Sequence, residues 1–195
     1  DEDGVKWKFR RNEILTNSKI ASNQDIIFQY FDRINLSRIS ENRYINWDEK
    51  LLEKLNGKVD IGIISNNLNV PLNFIEQNKE KINWEKLSWN SKIDWTSEFI
   101  DKHKDLLNWS NLSFNLNISW NEEIIEKFEN YWNWSSLSNN SKILWTESLL
   151  NKYQERIDWQ KLSYNPNVEV SIDYLENNLD KFHTYGVSRN KKIEW

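Results

Sequence analysis

Trp84-Glu-Lys-Leu-Ser-Trp-Asn-Ser-Lys-Ile-Asp-Trp95 returns 25 residues later as Trp109-Ser-Asn-Leu-Ser-Phe-Asn-Leu-Asn-Ile-Ser-Trp120. The shared pattern is Trp-x-x-Leu-Ser-x-Asn-x-x-Ile-x-Trp. Its asparagine stands at Asn17, Asn42, Asn67, Asn90, Asn115, Asn140, Asn165 and Asn190, at intervals of 25, 25, 23, 25, 25, 25 and 25 residues. A fixed period of this size marks a repeat architecture, in which each unit is too small to bury its own apolar face and must stack on its neighbours.

Two apolar columns flank the asparagine. Three residues before it stand Ile14, Ile39, Ile64, Leu87, Leu112, Leu137, Leu162 and Val187, and three after it Ile20, Ile45, Val70, Ile93, Ile118, Ile143, Val168 and Ile193. Nine of the twelve tryptophans fall on the two Trp positions of the motif. They share the register of Leu and Ile, so core packing is expected of them. The serine before the asparagine reads as a hydrogen-bonding spacer.

Beyond the second tryptophan, Phe99, Ile100, His103 and Leu107 recur as Ile124, Ile125, Phe128 and Trp132, then as Leu149, Leu150, Tyr153 and Ile157. Steps of this kind predict an amphipathic helix of about three turns. Ser119-Trp-Asn-Glu122 and Asn46-Trp-Asp-Glu49 match the capping-box spacing at its start. Asn35, Asp60, Asn83, Asn108, Asn133 and Asp158 precede the first tryptophan and read as caps of a short second helix, roughly Trp84 to Trp89. That helix is expected to close at the asparagine in the left-handed conformation.

The expected fold is therefore all-α, an α-solenoid of about seven to eight 25-residue repeats, each with one long and one short helix. A leucine-rich repeat of similar period is rejected. Five residues before the asparagine, where a strand needs an apolar side chain, stand Ser37, Gly62, Glu85, Ser110, Ser135 and Gln160. Residues 1–13 keep apolar Val5, Trp7 and Phe9 but lack the motif, and read as a degenerate lead-in or first-repeat cap; residues 14–195 are the array. In the shortened third repeat, Val70-Pro-Leu72 replaces Ile-x-Trp and is expected to start its long helix later. The chain has no methionine and stops within a repeat, as an excerpt of a longer array would.

Ile64-Ser-Asn-Asn-Leu-Asn-Val-Pro71 and Leu162-Ser-Tyr-Asn-Pro-Asn-Val168 resemble the Leu-Ser-x-Asn-Pro-Asn repeats of giant DNA viruses. The Trp-Thr-x-Glu units are similar to bacterial tandem repeats of the Leu-Ser-x-Asn-x-x-Leu-Pro-Trp-Ser kind. This resemblance covers roughly residues 14 to 195. It implies a helical repeat array and carries over no catalytic residue. A composition rich in Asn, Lys and Ile agrees with a bacterial or viral source.

The chain has no cysteine, two histidines and four glycines. Disulfide frameworks, thiol nucleophiles, cysteine metal sites and glycine phosphate loops are thereby excluded. Without cysteine, and without a signal peptide or an apolar run long enough to span a bilayer, the expected location is the cytoplasm, off the membrane. Six Asn-x-Ser/Thr sequons, some beside core tryptophans, read as accidental. His103 falls in a column of Phe128 and Tyr153 and reads as a packing residue, and His183 takes the place of an Asn/Asp cap. No metal, cofactor or catalytic residue is expected, and the chain is not read as an enzyme.

Variable positions on a fixed scaffold form the binding face of a solenoid. Immediately before the asparagine stand Trp89, Phe114 and Tyr164, with Lys92 and Lys142 two residues after it. These five are the candidate partner surface. Exposed aromatics at a helix end are typical interaction anchors, and the expected partner is another protein or another domain of the parent chain. The alternative is a single-stranded nucleic-acid track, or carbohydrate binding, with the aromatics stacking and the lysines meeting phosphates. A net charge of -4 disfavours nucleic acid.

Overall fold

The computed structural model describes residues 24–29, 40, 42, 45–55, 57–65 and 70–193. The lead-in at 1–13, the cap Asn35, the column residues Ile14, Asn17, Ile20, Ile39 and Asn67, and the final Glu194-Trp195 lie outside the described residues. The chain divides into two compact units, Asp1–Ile93 and Asp94–Trp195.

In the first unit the helices are α1 (Gln24–Gln29), α2 (Glu49–Lys54), α3 (Ile61–Ile64), α4 (Leu72–Gln77) and α5 (Trp84–Ser88). The second contains α6 (Ser97–His103), α7 (Trp109–Ser113), α8 (Glu122–Lys127), α9 (Trp134–Asn139), α10 (Glu147–Lys152), α11 (Trp159–Ser163), α12 (Ile172–Glu176) and α13 (Thr184–Val187). The described residues are thus mostly helical. Turns join the helices, and the strands among the described residues are a parallel pair of two residues each, β1 (Trp145–Thr146) and β2 (Val168–Glu169), with Trp145 opposite Val168. These extended residues lead into α10 and α12, where neighbouring repeats run side by side.

Among the described residues both apolar columns are core. Ile64, Leu87, Leu112, Leu137 and Leu162 are fully buried, and Ile45, Ile93, Ile118, Ile143, Val168 and Ile193 nearly so. The larger helix is shorter than the three turns expected. It spans five to seven residues in α2, α4, α6, α8, α10 and α12. Phe128 and Tyr153 end α8 and α10 with φ near -115° and -118°, outside the helical region, and a turn follows. Leu107, Trp132 and Ile157 are nevertheless buried, because the turn brings them back over the core: Leu107 and Trp132 donate their N–H to the carbonyls of His103 and Phe128.

The caps of these helices lie two residues beyond the expected boxes. Asp48, Thr96, Asn121, Thr146 and Ser171 each accept from the N–H three residues on. The second motif tryptophan therefore precedes the cap, in extended chain. There Trp47, Trp95 and Trp145 are buried, five residues before equally buried Leu52, Ile100 and Leu150, the spacing of a hydrophobic staple. In the shortened repeat α4 begins five residues after Asn67, whereas α2, α6, α8 and α10 begin seven after their asparagines. It starts earlier, not later. Pro71, with φ -63° and ψ 142°, sits at its N-cap and supplies no side-chain acceptor.

Candidate interaction surface

The short helices are built as the sequence predicts. Asp60, Asn83, Asn108, Asn133 and Asp158 cap α3, α5, α7, α9 and α11 through side-chain oxygens. Helices of four to six residues are unstable alone, so their stability must come from neighbours.

One source is the serine column. Ser65, Ser88, Ser113, Ser138 and Ser163 are buried, and each donates its hydroxyl to the carbonyl four residues back, at 2.6–2.8 Å. The same oxygens accept from the next repeat: Asn133 N–H reaches Ser113 at 2.9 Å, Asp158 N–H reaches Ser138 at 3.0 Å, and His183 N–H reaches Ser163 at 2.8 Å. In the first unit Asp60 and Asn83 reach Ser40 and Ser65 alike. A hydroxyl is suited to this double duty because it is both donor and acceptor.

The asparagine column is a second tie, and it is not the left-handed cap expected. Among the described residues no non-glycine has positive φ, and Asn140 sits at φ -74°, ψ 111°. The amides are buried instead. Asn140 Nδ2 donates to the carbonyls of Ser113 and Asn115, and Asn165 Nδ2 to those of Ser138 and Asn140. Each Oδ1 accepts from the N–H two residues on. The Asn-x-x turn and the inter-repeat bond thus use both ends of one amide.

The first motif tryptophans are half-buried and also polar in use. Trp84, Trp109, Trp134 and Trp159 donate Nε1–H, at 2.8–3.0 Å, to the carbonyl five residues back, in the turn after the larger helix. That turn leaves carbonyls without helical partners, and the indole supplies the donor. Along the chain of short helices, α7 packs on α9, α9 on α11 and α11 on α13.

This framework sets the exposure of the candidate residues. Trp89 and Tyr164 are each 51% exposed, whereas Phe114 is half-buried. Lys92 and Lys142 are exposed, their backbone N–H groups held by Asn90 and Asn140. Trp89 and Lys92 belong to the first unit, and Phe114, Tyr164 and Lys142 to the second. Within the second unit Phe114 and Tyr164 hold equivalent positions two repeats apart, with exposed Asn139 between.

Tyr164 borders a cleft of about 240 Å³ lined by Asn165, Pro166, Gly186, Arg189 and Asn190. Its hydroxyl lies 3.1 Å from His183 Nδ1 and its ring 5.4 Å from the imidazole. Arg189 reaches the hydroxyl of Tyr185, which is 60% exposed. Sequence reasoning placed Arg189 in the variable column without choosing it for the candidate surface, and did not single out Tyr185. The signal was available in the column before the asparagine, where Arg189 follows Tyr164.

A second groove, of about 270 Å³, is lined by Glu129, Lys152, Tyr153, Glu155 and Arg156. Its cations are already engaged: Lys152 pairs with Glu126 at 2.9 Å, and Arg156 bonds the carbonyl of Glu129 and the side chain of Asn130. His103 is 4% exposed, its ring 4.7 Å from Phe99, as its column predicts. The shifted carboxylates serve the scaffold. A hydrogen bond from the Ser135 hydroxyl, ahead of the Lys161 contacts, lowers Asp158, and the Ser171 N–H followed by its hydroxyl lowers Glu147.

Among the described residues no group of His, Asp and Glu is placed to hold a metal, and no helix is long and apolar enough to cross a membrane. No family model, curated protein or solved structure matches this chain.

Proposed function

We propose that this chain is a non-catalytic α-solenoid scaffold, in which repeats of one larger and one short helix present a variable surface to another protein or to a further domain of its parent chain. The observation that carries the proposal is the division of labour within each repeat. Serine and asparagine side chains are consumed by inter-repeat bonds and the motif tryptophans by packing and local bonds, while the position before each asparagine changes from Trp89 to Phe114, Asn139, Tyr164 and Arg189. Exposed aromatic side chains at such positions are typical anchors of protein interfaces. The absence of cysteine favours a reducing compartment such as the cytoplasm.

The test is affinity capture from native extract, with and without nuclease, using the full chain beside a Trp89→Ala, Tyr164→Ala variant. A nuclease-resistant protein retained by the native chain and lost from an equally helical variant is the expected result. Material that disappears with nuclease would replace this reading with the nucleic-acid track.

A further inference from the structure

Charge in the second unit is sorted by half-repeat. Residues 109–120, 134–145, 159–168 and 184–193, the short helices with their asparagine turns, contain Lys142, Lys161, Arg189, Lys191 and Lys192 and no aspartate or glutamate, the last two ranges ending just before Glu169 and Glu194. Every acidic residue between 94 and 193 lies in the intervening segments. All five cations are exposed. Lys161 and Lys192 contact Asp158 and Glu169 at the borders, whereas among the described residues no ion pair engages Lys142, Arg189 or Lys191. A chain of net charge -4 thus carries a surface of the opposite sign.

The same half-repeats expose Tyr164, Tyr185, Leu116 and Leu144, each more than 40% accessible. A cleft lined by Tyr164 and Arg189 lies on them, so that a cation and an aromatic ring border the same concavity. We propose that this surface binds an extended acidic peptide, a carboxylate meeting Arg189 and an apolar side chain entering beside Tyr164. The inference rests on the scaffold reading and names its partner's chemistry. Charge complementarity selects an acidic occupant. A peptide is favoured over single-stranded nucleic acid for two reasons. Half-repeats that carry none, one, one and three cations do not neutralise a continuous phosphate backbone, and the Tyr164 ring already packs against His183, which leaves less of it for stacking on a base.

The experiment is fluorescence anisotropy of the full chain with a labelled peptide of repeating Glu-Asp-Leu, beside a Lys-Lys-Leu peptide and oligouridylate. Expected are saturable binding of the acidic peptide alone, weakening with salt, and loss of about fivefold in affinity in Arg189→Ala. Tyr164→Ala should weaken it similarly, and Lys152→Ala, in the acid-rich half-repeats, should not. Circular dichroism confirms that each variant is folded. Equal or tighter binding of the basic peptide or of oligouridylate overturns the proposal, as does failure of the acidic peptide to bind. If the acidic peptide fails while nuclease-resistant capture still depends on Trp89 and Tyr164, only the partner's chemistry is refuted and the scaffold reading stands.

Discussion

The side-chain amide of Asn165 donates to the main-chain carbonyl of Asn140 at 3.0 Å, linking equivalent residues of adjacent repeats. It also reaches the carbonyl of Ser138 at 2.9 Å and accepts from Asn167 N–H, all at 1% exposure. Asn165→Ala removes the partner of the Ser138 carbonyl and of the half-buried Asn167 N–H, and leaves the Asn140 carbonyl with only the 3.3 Å bond from Ile143 N–H. A loss of about 2–4 kcal/mol in urea unfolding is expected. Asn165→Asp, which exchanges the donor for an oxygen facing two carbonyls, should cost at least as much at neutral pH. A change below about 0.5 kcal/mol in both would mean that the ladder adds nothing to stability.

Trp134 tests the indole tie. Its Nε1–H donates to Glu129 O at 3.0 Å, and Arg156 lies over its ring at 5.6 Å. Trp134→Phe keeps most of the ring and deletes the donor, so about 1 kcal/mol of stability should be lost. Trp134→Leu, which also forfeits the contact with Tyr153 at 4.6 Å, should lose more. Equal midpoints for wild type and the Phe variant in chemical denaturation would refute the role of the N–H.

The apolar columns and the short-helix caps were legible in the sequence because burial and capping each select a narrow set of residue types at fixed spacing. Leu87, Leu112 and Leu137 could only be core, and Asn83, Asn108 and Asn133 do cap. The length of the larger helix was not legible. Phe128 to Trp132 continues the 3.6-residue spacing, but a turn placing residue i+4 on the same side gives the same pattern. The asparagine misled for a related reason: its preference for left-handed caps is local, whereas its native bonds go to residues 25 and 27 positions away. The candidate surface was partly legible. Trp89 and Tyr164 are exposed as read, while half-buried Phe114 shows that a variable column also includes packing residues.

Glu147 should contribute to acid sensitivity. Its half-buried carboxylate accepts from both the N–H and the hydroxyl of Ser171, in the next repeat, each at 2.7 Å. The Ser171 N–H, then the hydroxyl, hold its pKa below the ordinary 4.5 against a smaller opposing effect of burial. A carboxyl depressed in the folded state stabilises it above the ordinary value, and that contribution is lost as pH falls through the folded value. The thermal midpoint of wild type should therefore drop faster on acidification below the ordinary value than that of Glu147→Gln, whose amide oxygen still accepts. Parallel profiles for the two proteins would show that the Ser171 bonds do not depend on charge.

Gly186 brings α13 close against the end of α11. A Cβ built there would lie 2.8 Å from the carbonyl oxygen of Ser163, 2.9 Å from its carbonyl carbon and 3.1 Å from its Cβ. Two of these are backbone atoms and cannot rotate away, so the helices must separate, straining the 2.8 Å bond from His183 N–H to Ser163. Gly to Ala within a helix ordinarily stabilises by about 0.5–1 kcal/mol. Here the clash should win, with Gly186→Ala destabilising by about 1–3 kcal/mol. Gly62, in α3, provides the contrast: its nearest neighbour is the Asp60 carboxylate at 3.2 Å, a side chain that can shift. Gly62→Ala should cost clearly less than Gly186→Ala in thermal unfolding. The reverse order would mean that α11 and α13 pack less tightly than these distances state, and the cleft between Tyr164 and Arg189, which Gly186 also lines, would then be wider than described.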